Sequence, residues 1–339
     1  MNQIRAALLL AAAGLTLGDA ALAARAYVSN EDDGTISVVD IGRLAALATI
    51  EVGKRPRGLV LSRDGKLLYV AVSGSPKCPP PIPDAQCAKL PRDAQADGVA
   101  VVDTATLKVL RHLGGVSDPE RVELSRDGRR LFVTDEDEAR LTVLDARRGA
   151  VRATIRVGRE PEGVRASADG RWVLVTSEAD SSVSIIDAHS LSVRRTVAVG
   201  ARPRDLAFAS DGRSAYVPGE ADASLYRVGL AAGAPAVRLL QFRKDARPMG
   251  VVLDAARARL YVSTGRGGSV AVIALQDATL QSEIAVGGRP WGIALSADGQ
   301  RLCTANGPAN ELAIIDTNTL TVLGKVTTGH GAWGVVVGP

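Results

Sequence analysis

Hydrophobic and polar residues alternate with a period of two along most of the chain, in short runs that turn residues separate. Runs such as "ISVVD", "VAVVD", "LTVLD" and "VSIID" are rich in β-branched side chains and are bounded by Gly, Asp or Ser. This alternation is typical of half-buried strands, whereas a helical repeat would place apolar residues about every 3.6 positions. The pattern therefore predicts an all-β chain.

A longer regularity groups these strands into repeats. A Pro two positions before a Gly, or before the residue that replaces this Gly, marks each copy; the seven places are Pro56, Pro119, Pro161, Pro203, Pro248, Pro290 and Ala332. Successive spacings are 63, 42, 42, 45, 42 and 42 residues, and an insertion at residues 74–96 lengthens the first. A Ser-x-Asp-Gly signal follows most copies and suits a tight hairpin turn, because Gly adopts a positive φ. Each copy holds four predicted strands.

One four-stranded sheet cannot bury both of its faces, but seven sheets around an axis bury each face against a neighbour. The predicted fold is therefore a single seven-bladed β-propeller over residues 24–339. The chain after residue 23 starts in mid-repeat with "AYVSN", "ISVVD" and "ATIEVG", and it ends with the first strand "WGVVVG". We expect this C-terminal strand to close the ring with the three N-terminal ones, which removes the open sheet edges.

The first 23 residues predict a secretory signal peptide. Arg5 provides the positive charge, an apolar stretch follows, and the small residues Ala21 and Ala23 suit cleavage before Ala24. A membrane anchor is the weaker alternative, because Asp19 interrupts a run that would need about 20 apolar residues. No later segment of the sequence is apolar enough to span a bilayer, so we expect a protein of the bacterial periplasm.

The charge distribution limits the classes of partner, and the cysteines indicate a disulfide and a packing role. The net charge is +4 with 41 basic and 37 acidic residues, and these charges are interspersed without a basic stripe, which argues against nucleic acid. Cys78 and Cys87 flank one loop, and in an oxidising compartment we expect them to pair, two free thiols being the alternative. Cys303 stands where other repeats carry apolar residues, which predicts a buried packing role. We expect a monomer.

The Pro-x-Gly motifs and the loops between second and third strands fall on one side of the ring, here called the top face. The residue between Pro and Gly changes around the ring from a charged arc to an apolar one: Arg57, Glu120, Glu162, Arg204, Met249, Trp291 and Trp333. Two motifs replace the Gly, by Arg121 and Asp205, and a charge at the channel mouth needs a partner. These two could pair with each other or with neighbouring charges of the arc. Trp291 and Trp333 either line a site or plug the channel.

Catalytic and metal-binding signals are weak. The histidines His112, His189 and His330 show no ligand spacing, and of the three we expect His330 alone on the top face. The sequence contains no Cys-x-x-Cys-His for haem attachment and no Gly-x-Ser-x-Gly elbow. Acidic loops such as "DEDE" and "SEAD" could hold Ca²⁺, but solvated loops are the simpler interpretation. The sequence therefore predicts no metal site and no resident cofactor.

The repeat "RPxGxxxSxDGxxLYV…VxVID…TIxVG" resembles the YVTN-type seven-bladed β-propellers over nearly the whole chain after residue 23. Phrases such as "KRPRGLVLSRDGKLLYVAVSGSP" and "GRPWGIAL" are similar to the β-propeller proteins associated with PQQ-dependent catabolism. This resemblance implies a periplasmic accessory protein of PQQ-dependent alcohol oxidation and transport, with no established activity of its own. Its partner would be a dehydrogenase, a cytochrome or a transporter component.

Three functional hypotheses result, and fold alone does not choose between them. The first is a non-enzymatic binding or scaffold protein that uses the top-face residues Arg57, Glu120, Arg121, Glu162, Arg204, Asp205, Arg247, Arg289, Trp291, His330 and Trp333. The second is a lactonase-like hydrolase, whose candidate set is His330 with Glu162 or Glu120 and Arg204. The third is a protein that binds PQQ or another small molecule, the anion being held by Arg57, Arg204, Arg247 and Arg289.

Overall fold

The structure, a computed structural model, describes residues 24–77, Gln86 and residues 89–338. The signal peptide predicted for residues 1–23 and the disulfide predicted between Cys78 and Cys87 lie outside the described residues, so both stay predictions. In the described part of the chain, no helix is both long enough and apolar enough to cross a membrane.

The described residues form seven four-stranded antiparallel sheets, which confirms the predicted seven-bladed propeller. Blade 1 combines β28 (Ala332–Gly338) with β1 (Arg25–Asn30), β2 (Thr35–Asp40) and β3 (Ala45–Glu51). Blade 2 contains β4 (Pro56–Leu61), β5 (Leu67–Val72), β6 (Gly98–Asp103) and β7 (Lys108–Leu113). Blade 3 contains β8 (Pro119–Leu124), β9 (Arg130–Asp135), β10 (Arg140–Asp145) and β11 (Val151–Arg156).

The remaining four blades follow in chain order. Blade 4 contains β12 (Pro161–Ala166), β13 (Trp172–Ser177), β14 (Ser182–Asp187) and β15 (Ser192–Ala198), and blade 5 contains β16 (Ala207–Phe208), β17 (Ser214–Gly219), β18 (Ser224–Gly229) and β19 (Ala236–Gln241). Blade 6 contains β20 (Val251–Asp254), β21 (Arg259–Ser263), β22 (Ser269–Ala274) and β23 (Leu280–Ala285). Blade 7 contains β24 (Pro290–Leu295), β25 (Arg301–Asn306), β26 (Glu311–Asp316) and β27 (Thr321–Thr327). Short 3₁₀ turns lie at Ala94–Ala96, Gly265–Gly267 and Gly307–Ala309.

The ring closes as the repeat predicts. Strand β28 pairs antiparallel with β1, from Arg25 opposite Gly338 to Asn30 opposite Ala332. One strand from the C-terminal end and three from the N-terminal end therefore complete blade 1.

The core lies between the blades. Seven clusters of buried side chains each join two neighbouring blades, and they are built mainly from Val, Leu, Ile and Ala. Cys303 is fully buried between blades 7 and 1, in the same cluster as Val28 and Ile314. This burial among apolar side chains confirms the predicted packing role of Cys303, and it raises the pKa of the thiol to about 12.

The innermost strands touch backbone to backbone around the axis. Four of them, β4, β8, β12 and β24, begin at the Pro of the motif. A Cβ atom added to Gly58 would lie 2.6 Å from the Cα of Arg121, and one added to Gly292 would lie 2.7 Å from the carbonyl oxygen of Trp333. The motif Gly thus permits the close approach of neighbouring blades that the sequence predicts.

The turn signals also act as expected. In blade 7, the hydroxyl of Ser296 lies 2.5 Å from Asp298 Oδ1 and accepts a hydrogen bond of 2.9 Å from the backbone N–H of Arg301. The Asp316 carboxylate that ends β26 accepts hydrogen bonds from the backbone N–H groups of Asn318 and Thr319 at 2.9 and 3.0 Å. These side chains satisfy backbone donors at the hairpins, which fixes the strand register.

Candidate functional site

A cavity of about 760 Å³, here called the top cavity, opens on the top face at the axis of the ring. Blades 1 to 5 give it a charged wall, and part of the 74–96 insertion, including Lys77, Leu90 and Arg92, extends this wall. Met249, Trp291 and Trp333 give it an apolar side. The variable position between Pro and Gly therefore faces a common space, as the sequence suggested.

The two tryptophans form part of the floor of this cavity. Below them lies a constriction of only about 20 Å³, lined by Arg121, Glu162, Arg204, Met249, Gly250, Trp291, Gly292 and Trp333. Such a space holds roughly one water molecule. A guanidinium lies over each indole ring, Arg289 at 5.1 Å from the centre of Trp291 and Arg121 at 5.5 Å from that of Trp333. The tryptophans thus both line the top cavity and separate it from the channel below.

Arg57 is the centre of the first charged cluster. Its side chain is 3% exposed, and its guanidinium contacts four carboxylates: Glu31 at 3.6 Å, Asp118 at 3.4 Å, Glu136 at 3.1 Å, and Glu120. Burial opposes the charge of Arg57, but the carboxylates outweigh this effect and raise the pKa of the guanidinium. Arg57 is therefore a fixed cation that ties together blades 1, 2 and 3.

Arg204 is the centre of the second cluster. Its guanidinium contacts Glu162 at 2.7 Å, Glu178 at 2.8 Å and Glu220 at 2.7 Å. Burial again opposes the charge, and the three carboxylates again outweigh it and raise the pKa of Arg204. Blades 4 and 5 are joined through this cation.

Four glutamates that the sequence did not assign to the binding site, two of them considered only as Ca²⁺ ligands in the acidic loops, hold these clusters together. Each lies directly after the second strand of its blade; they are Glu31, Glu136, Glu178 and Glu220. The first three line the top cavity, and all four contact an arginine of the wall. A signal was available, since "NEDD", "DEDE", "SEAD" and "GEAD" place a Glu in the same register of four repeats. The interpretation of these loops as merely solvated is wrong for Glu31, Glu178 and Glu220, whose side chains are buried.

Burial changes the protonation of two of these glutamates. It raises the pKa of Glu136 to about 7, against the attraction of Arg57. It raises the pKa of Glu178 to about 9, with the neighbouring charge of Glu162 acting in the same direction. Glu31 is the opposite case, because Arg57 and Arg55 outweigh burial and lower the pKa of its carboxyl. At neutral pH the wall therefore offers protonated carboxyl groups, which donate hydrogen bonds, beside ionised ones.

We expect Glu178→Gln to remove a loss of stability with rising pH that the wild type undergoes between pH 5 and 9, at about 1.4 kcal/mol for each pH unit. Below the ordinary pKa of a glutamate, this carboxyl is protonated in both the folded and the unfolded chain. Above that pKa the unfolded chain has lost the proton, whereas the folded chain keeps it up to about pH 9. The wild type therefore loses stability as the pH rises over this range. The amide does not titrate, so the variant lacks this slope. Urea denaturation from pH 5 to 9 measures it, with the exposed Glu138→Gln as the matched control, and parallel pH profiles for wild type and Glu178→Gln would contradict the assignment.

Four charged residues at the rim have an unusual backbone conformation. The residue before Pro has a positive φ in four motifs: Arg55 at 41°, Asp118 at 43°, Glu160 at 50° and Arg202 at 57°. Left-handed conformations are strained for residues other than Gly, and such strain tends to occur at functional sites. All four side chains line the top cavity.

Arg121 and Asp205, the two residues that replace the motif Gly, pair with each other below the floor. Arg121 Nη1 lies 3.3 Å from Asp205 Oδ1, and Asp205 also contacts Arg165 at 3.1 Å. The prediction that they could pair is confirmed. Their expected place at the top mouth is wrong, because neither is among the described residues that line the top cavity, and Arg121 instead lines the constriction and the channel beneath it.

His330 and Arg247 do not join the central site. His330 has a side chain 72% exposed, and its Nδ1 lies 2.9 Å from Asp33 Oδ1. Arg247 donates a hydrogen bond of 2.9 Å to the carbonyl oxygen of Ala221. His330 is absent from the described lining of the top cavity, so its predicted set with Glu162 or Glu120 and Arg204 is not assembled. The loop before β28 holds His330 on the expected face but away from the axis.

Three carboxylates approach one another closely in the wall. One oxygen from each of Glu120, Glu136 and Glu162 lies within 4.8 Å of the others. These are the described residues with the spacing to hold a divalent cation. Arg57 contacts Glu120 and Glu136 and Arg204 contacts Glu162, so guanidinium groups already neutralise this cluster.

Comparison with known proteins is consistent with this fold. Residues 91–217 match a family described as Cytochrome D1 heme domain, which is less than half of the chain. A search of curated proteins finds no match.

Solved structures with a similar fold are numerous. A protein from Lactobacillus plantarum has 15% identity and a TM-score of 0.75, over 93% of this chain and 99% of that one. A putative 6-phosphogluconolactonase from Bacteroides fragilis has 17% identity and a TM-score of 0.73, over 93% and 98%. The dihydro-heme d1 dehydrogenase NirN has 19% identity and a TM-score of 0.61, over 89% of this chain and 63% of that chain. At these identities the likeness concerns the fold alone.

Proposed function

We propose that the protein is a periplasmic binding propeller without catalytic activity of its own, and that its top cavity holds a small organic molecule. The observation that carries this proposal is the composition of the cavity, which combines an aromatic floor with a dense, internally paired polar wall. Binding sites commonly join an apolar surface to a few fixed polar groups. The buried clusters around Arg57 and Arg204 hold these polar groups in place before a ligand arrives.

The charge balance points to a neutral ligand. Eight acidic and seven basic residues line the cavity among the described residues: Glu31, Asp118, Glu120, Glu136, Asp137, Glu160, Glu162 and Glu178, with Arg55, Arg57, Lys77, Arg92, Arg202, Arg204 and Arg289. The raised pKa of Glu178 removes one negative charge at neutral pH, and Glu136, with a pKa of about 7, is then about half ionised, so the two signs nearly balance. Hydroxyl or carbonyl groups would meet both donors and acceptors in this wall, and a flat apolar face would pack on Trp291 and Trp333.

The resemblance to propellers of PQQ-dependent catabolism suggests the system in which such a ligand would occur. A neutral alcohol or polyol fits the balanced wall better than the anionic cofactor PQQ does. Of the four arginines that the sequence assigned to an anion, Arg57 and Arg204 are each neutralised by several carboxylates. We therefore propose an accessory role in alcohol oxidation or uptake, in contact with a dehydrogenase, a cytochrome or a transporter component.

Two other activities receive less support from the residues present. The haem named for the family matched by residues 91–217 would need an axial ligand, commonly His, Cys, Tyr or Met. Met249 is the one such side chain among the described residues that line the top cavity, so the cavity does not fit a haem held by histidine. A lactonase-like reaction would need the base that His330 was expected to provide, and His330 lies elsewhere.

We expect the double change Trp291→Ala, Trp333→Ala to weaken binding of a neutral alcohol, sugar or lactone at least tenfold, because the apolar contact of the ring faces is lost. Calorimetric titration of the purified protein with a panel of such compounds, and with PQQ, measures this loss. Trp172→Ala is the matched control, because Trp172 also lies beside a guanidinium, that of Arg171 at 5.6 Å, but belongs to a different part of the surface.

The same panel contains the outcomes that would contradict the proposal. Turnover of a lactone by the wild type would show a hydrolase and not a binding protein. Tight binding of PQQ would show that the ligand is an anion and not a neutral molecule. Equal affinity in wild type and double variant would remove the ligand from the top cavity. A pull-down from periplasm with wild type and double variant tests the partner separately. If both proteins recover a partner in equal amounts, the partner does not bind the top face.

A further inference from the structure

A second cavity lies on the opposite side of the floor. This lower channel has a volume of about 470 Å³, which is in the usual range for small-molecule sites of about 300–1,000 Å³. Its walls are the lower halves of the inner strands, and most of its lining is apolar: Leu59, Leu206, Phe208, Val251, Val252, Leu253, Ile293, Ala294, Leu295, Val335, Val336 and Val337. Trp333 closes it from above, next to Arg121.

One wall of the lower channel departs from this apolar lining. The position four residues after the motif Pro is apolar in five blades, but it is Glu123 in blade 3 and Arg165 in blade 4. Arg121 lies two residues before Glu123 on the same strand. Arg121 and Arg165 therefore form a basic patch at the inner part of an otherwise apolar tube, and both line the channel.

The patch is held in place from behind. Asp205 contacts Arg121 at 3.3 Å and Arg165 at 3.1 Å, and its own side chain is 3% exposed. Strand β16 is reduced to Ala207–Phe208, and the Leu206 carbonyl that precedes it accepts a hydrogen bond of 3.3 Å from Arg165 Nε. Asp205, in the place of the motif Gly, thus anchors two arginines beside the short inner strand of blade 5.

The donors of this patch are incompletely used. Arg165 keeps 28% of its side chain accessible inside the ring, and its Nη1 is 3.6 Å from Glu123 Oε2, which is too long for a good hydrogen bond. The buried Nε of Arg121 has no hydrogen-bond partner among the described residues. Burial raises the pKa of Glu123, and neither Glu123 nor Asp205 is among the described residues that line the channel. The described lining of the channel therefore presents two guanidiniums and no carboxylate.

We propose that the lower channel binds a single-chain amphiphile with a carboxylate head group, the head on Arg165 and Arg121 and the alkyl chain along the apolar wall. Guanidinium groups bind carboxylates through paired, charge-assisted hydrogen bonds. The apolar lining residues, Phe208 and Val337 among them, stabilise an alkyl chain through burial, at about 0.8 kcal/mol for each buried CH₂ group. A cationic head would meet the two guanidiniums and be repelled, and a neutral one would not form charge-assisted hydrogen bonds with them.

This site differs from the top cavity in position and in ligand. The constriction of about 20 Å³ lies between the two spaces, with Arg121 and Trp333 in its lining. The top cavity has balanced charges and aromatic contacts, whereas the lower channel has an aliphatic wall and, as its described charged lining residues, Arg121 and Arg165. The two proposals can therefore fail independently.

Calorimetric titration of the purified protein with dodecanoate, dodecanol and dodecyltrimethylammonium, each below its micelle concentration, tests the lower channel. We expect one dodecanoate per chain, bound at least tenfold more tightly than dodecanol, and no binding of the cation. Arg165→Gln should weaken dodecanoate at least tenfold and leave dodecanol unchanged. Ala294→Phe, which fills the apolar wall and keeps the charges, should weaken both, whereas Arg126→Gln on the same face outside the channel should weaken neither.

Thermal melting of each variant shows whether it is folded, and Ala294→Phe carries the test if Arg165→Gln does not fold. Failure of the wild type to bind dodecanoate would overturn the proposal. Equal affinity for dodecanoate and dodecanol would overturn the assigned head group. Loss of dodecanoate binding in Trp291→Ala with full binding in Ala294→Phe would place the ligand in the top cavity and would also overturn it.

Discussion

Replacing Arg57 by Met is expected to lower the free energy of unfolding by about 3–5 kcal/mol at neutral pH, because it removes one partner of a buried ion cluster. Met has nearly the same length and fills the space of the alkyl stem, so the loss is that of the charge. Four carboxylates then face one another without their shared cation. Equilibrium denaturation with urea at pH 7 measures the effect.

The pH dependence identifies the cause of this loss. Arg57 contributes to the lowered pKa values of Glu31 and Asp118, although burial acts against it in both. Their ionised forms therefore stabilise the wild type above about pH 4, and this stability is lost as pH falls through their folded pKa values. In the Met variant these carboxyls take up protons more readily. The difference between variant and wild type should be largest at pH 7 and should shrink toward pH 4.

A matched control separates a buried cation from a surface one. Arg159 pairs with Asp180 at 2.8 Å, but its side chain is 72% exposed. Arg159→Met should stay close to wild-type stability, because solvent screens exposed pairs and their net effect is small. If Arg57→Met is as stable as Arg159→Met, then Arg57 does not hold the wall of the top cavity together.

The repeat made the fold predictable in detail. Period-two alternation, the spacing of the motif Pro residues and the strand order at the two ends together specify seven blades and their closure, because each blade must bury its faces against the next. The repeat register also assigns a residue to a blade and to a face. Trp291 and Trp333, which differ from their counterparts in other blades, could therefore be placed at the top of the channel from the sequence, which left open whether they line a site or plug the channel.

The arrangement of charges was less predictable, because the pairs cross between blades. Arg57 reaches Glu31 in blade 1 and Glu136 in blade 3, and no spacing within one repeat encodes such contacts. The sequence also did not show how far a side chain lies from the axis of the ring. His330 shares the top face with Arg57, yet it pairs with Asp33 in the solvent, since loop geometry and not repeat register sets how far a side chain lies from the centre.

Gly292→Ala is expected to destabilise the protein by about 3 kcal/mol, at the upper end of the usual cost of overpacking. A Cβ atom at this position would lie 2.7 Å from the Trp333 carbonyl oxygen, 2.9 Å from the Gly334 Cα and 3.0 Å from the Val335 nitrogen. All three are backbone atoms of β28, so no side-chain rotation relieves the contact. The strand that must move is the one that closes the ring, and it also carries Trp333.

The loss of stability in Gly292→Ala is expected from the contact of the new methyl group with β28 and not from the loss of a glycine as such. The variant Gly114→Ala tests this distinction. No atom lies within 4 Å of a Cβ added to Gly114, and neither Gly114 nor Gly292 has a positive φ, so both backbones accept alanine. Gly114→Ala should therefore keep wild-type stability and ligand binding, whereas Gly292→Ala should lose stability and also weaken binding in the top cavity through Trp333. Thermal melting and titration of both variants measure the two effects. Similar stability for the two would mean that neighbouring inner strands tolerate a methyl group between them, and that the recurring glycine is not required for the close contact of the blades.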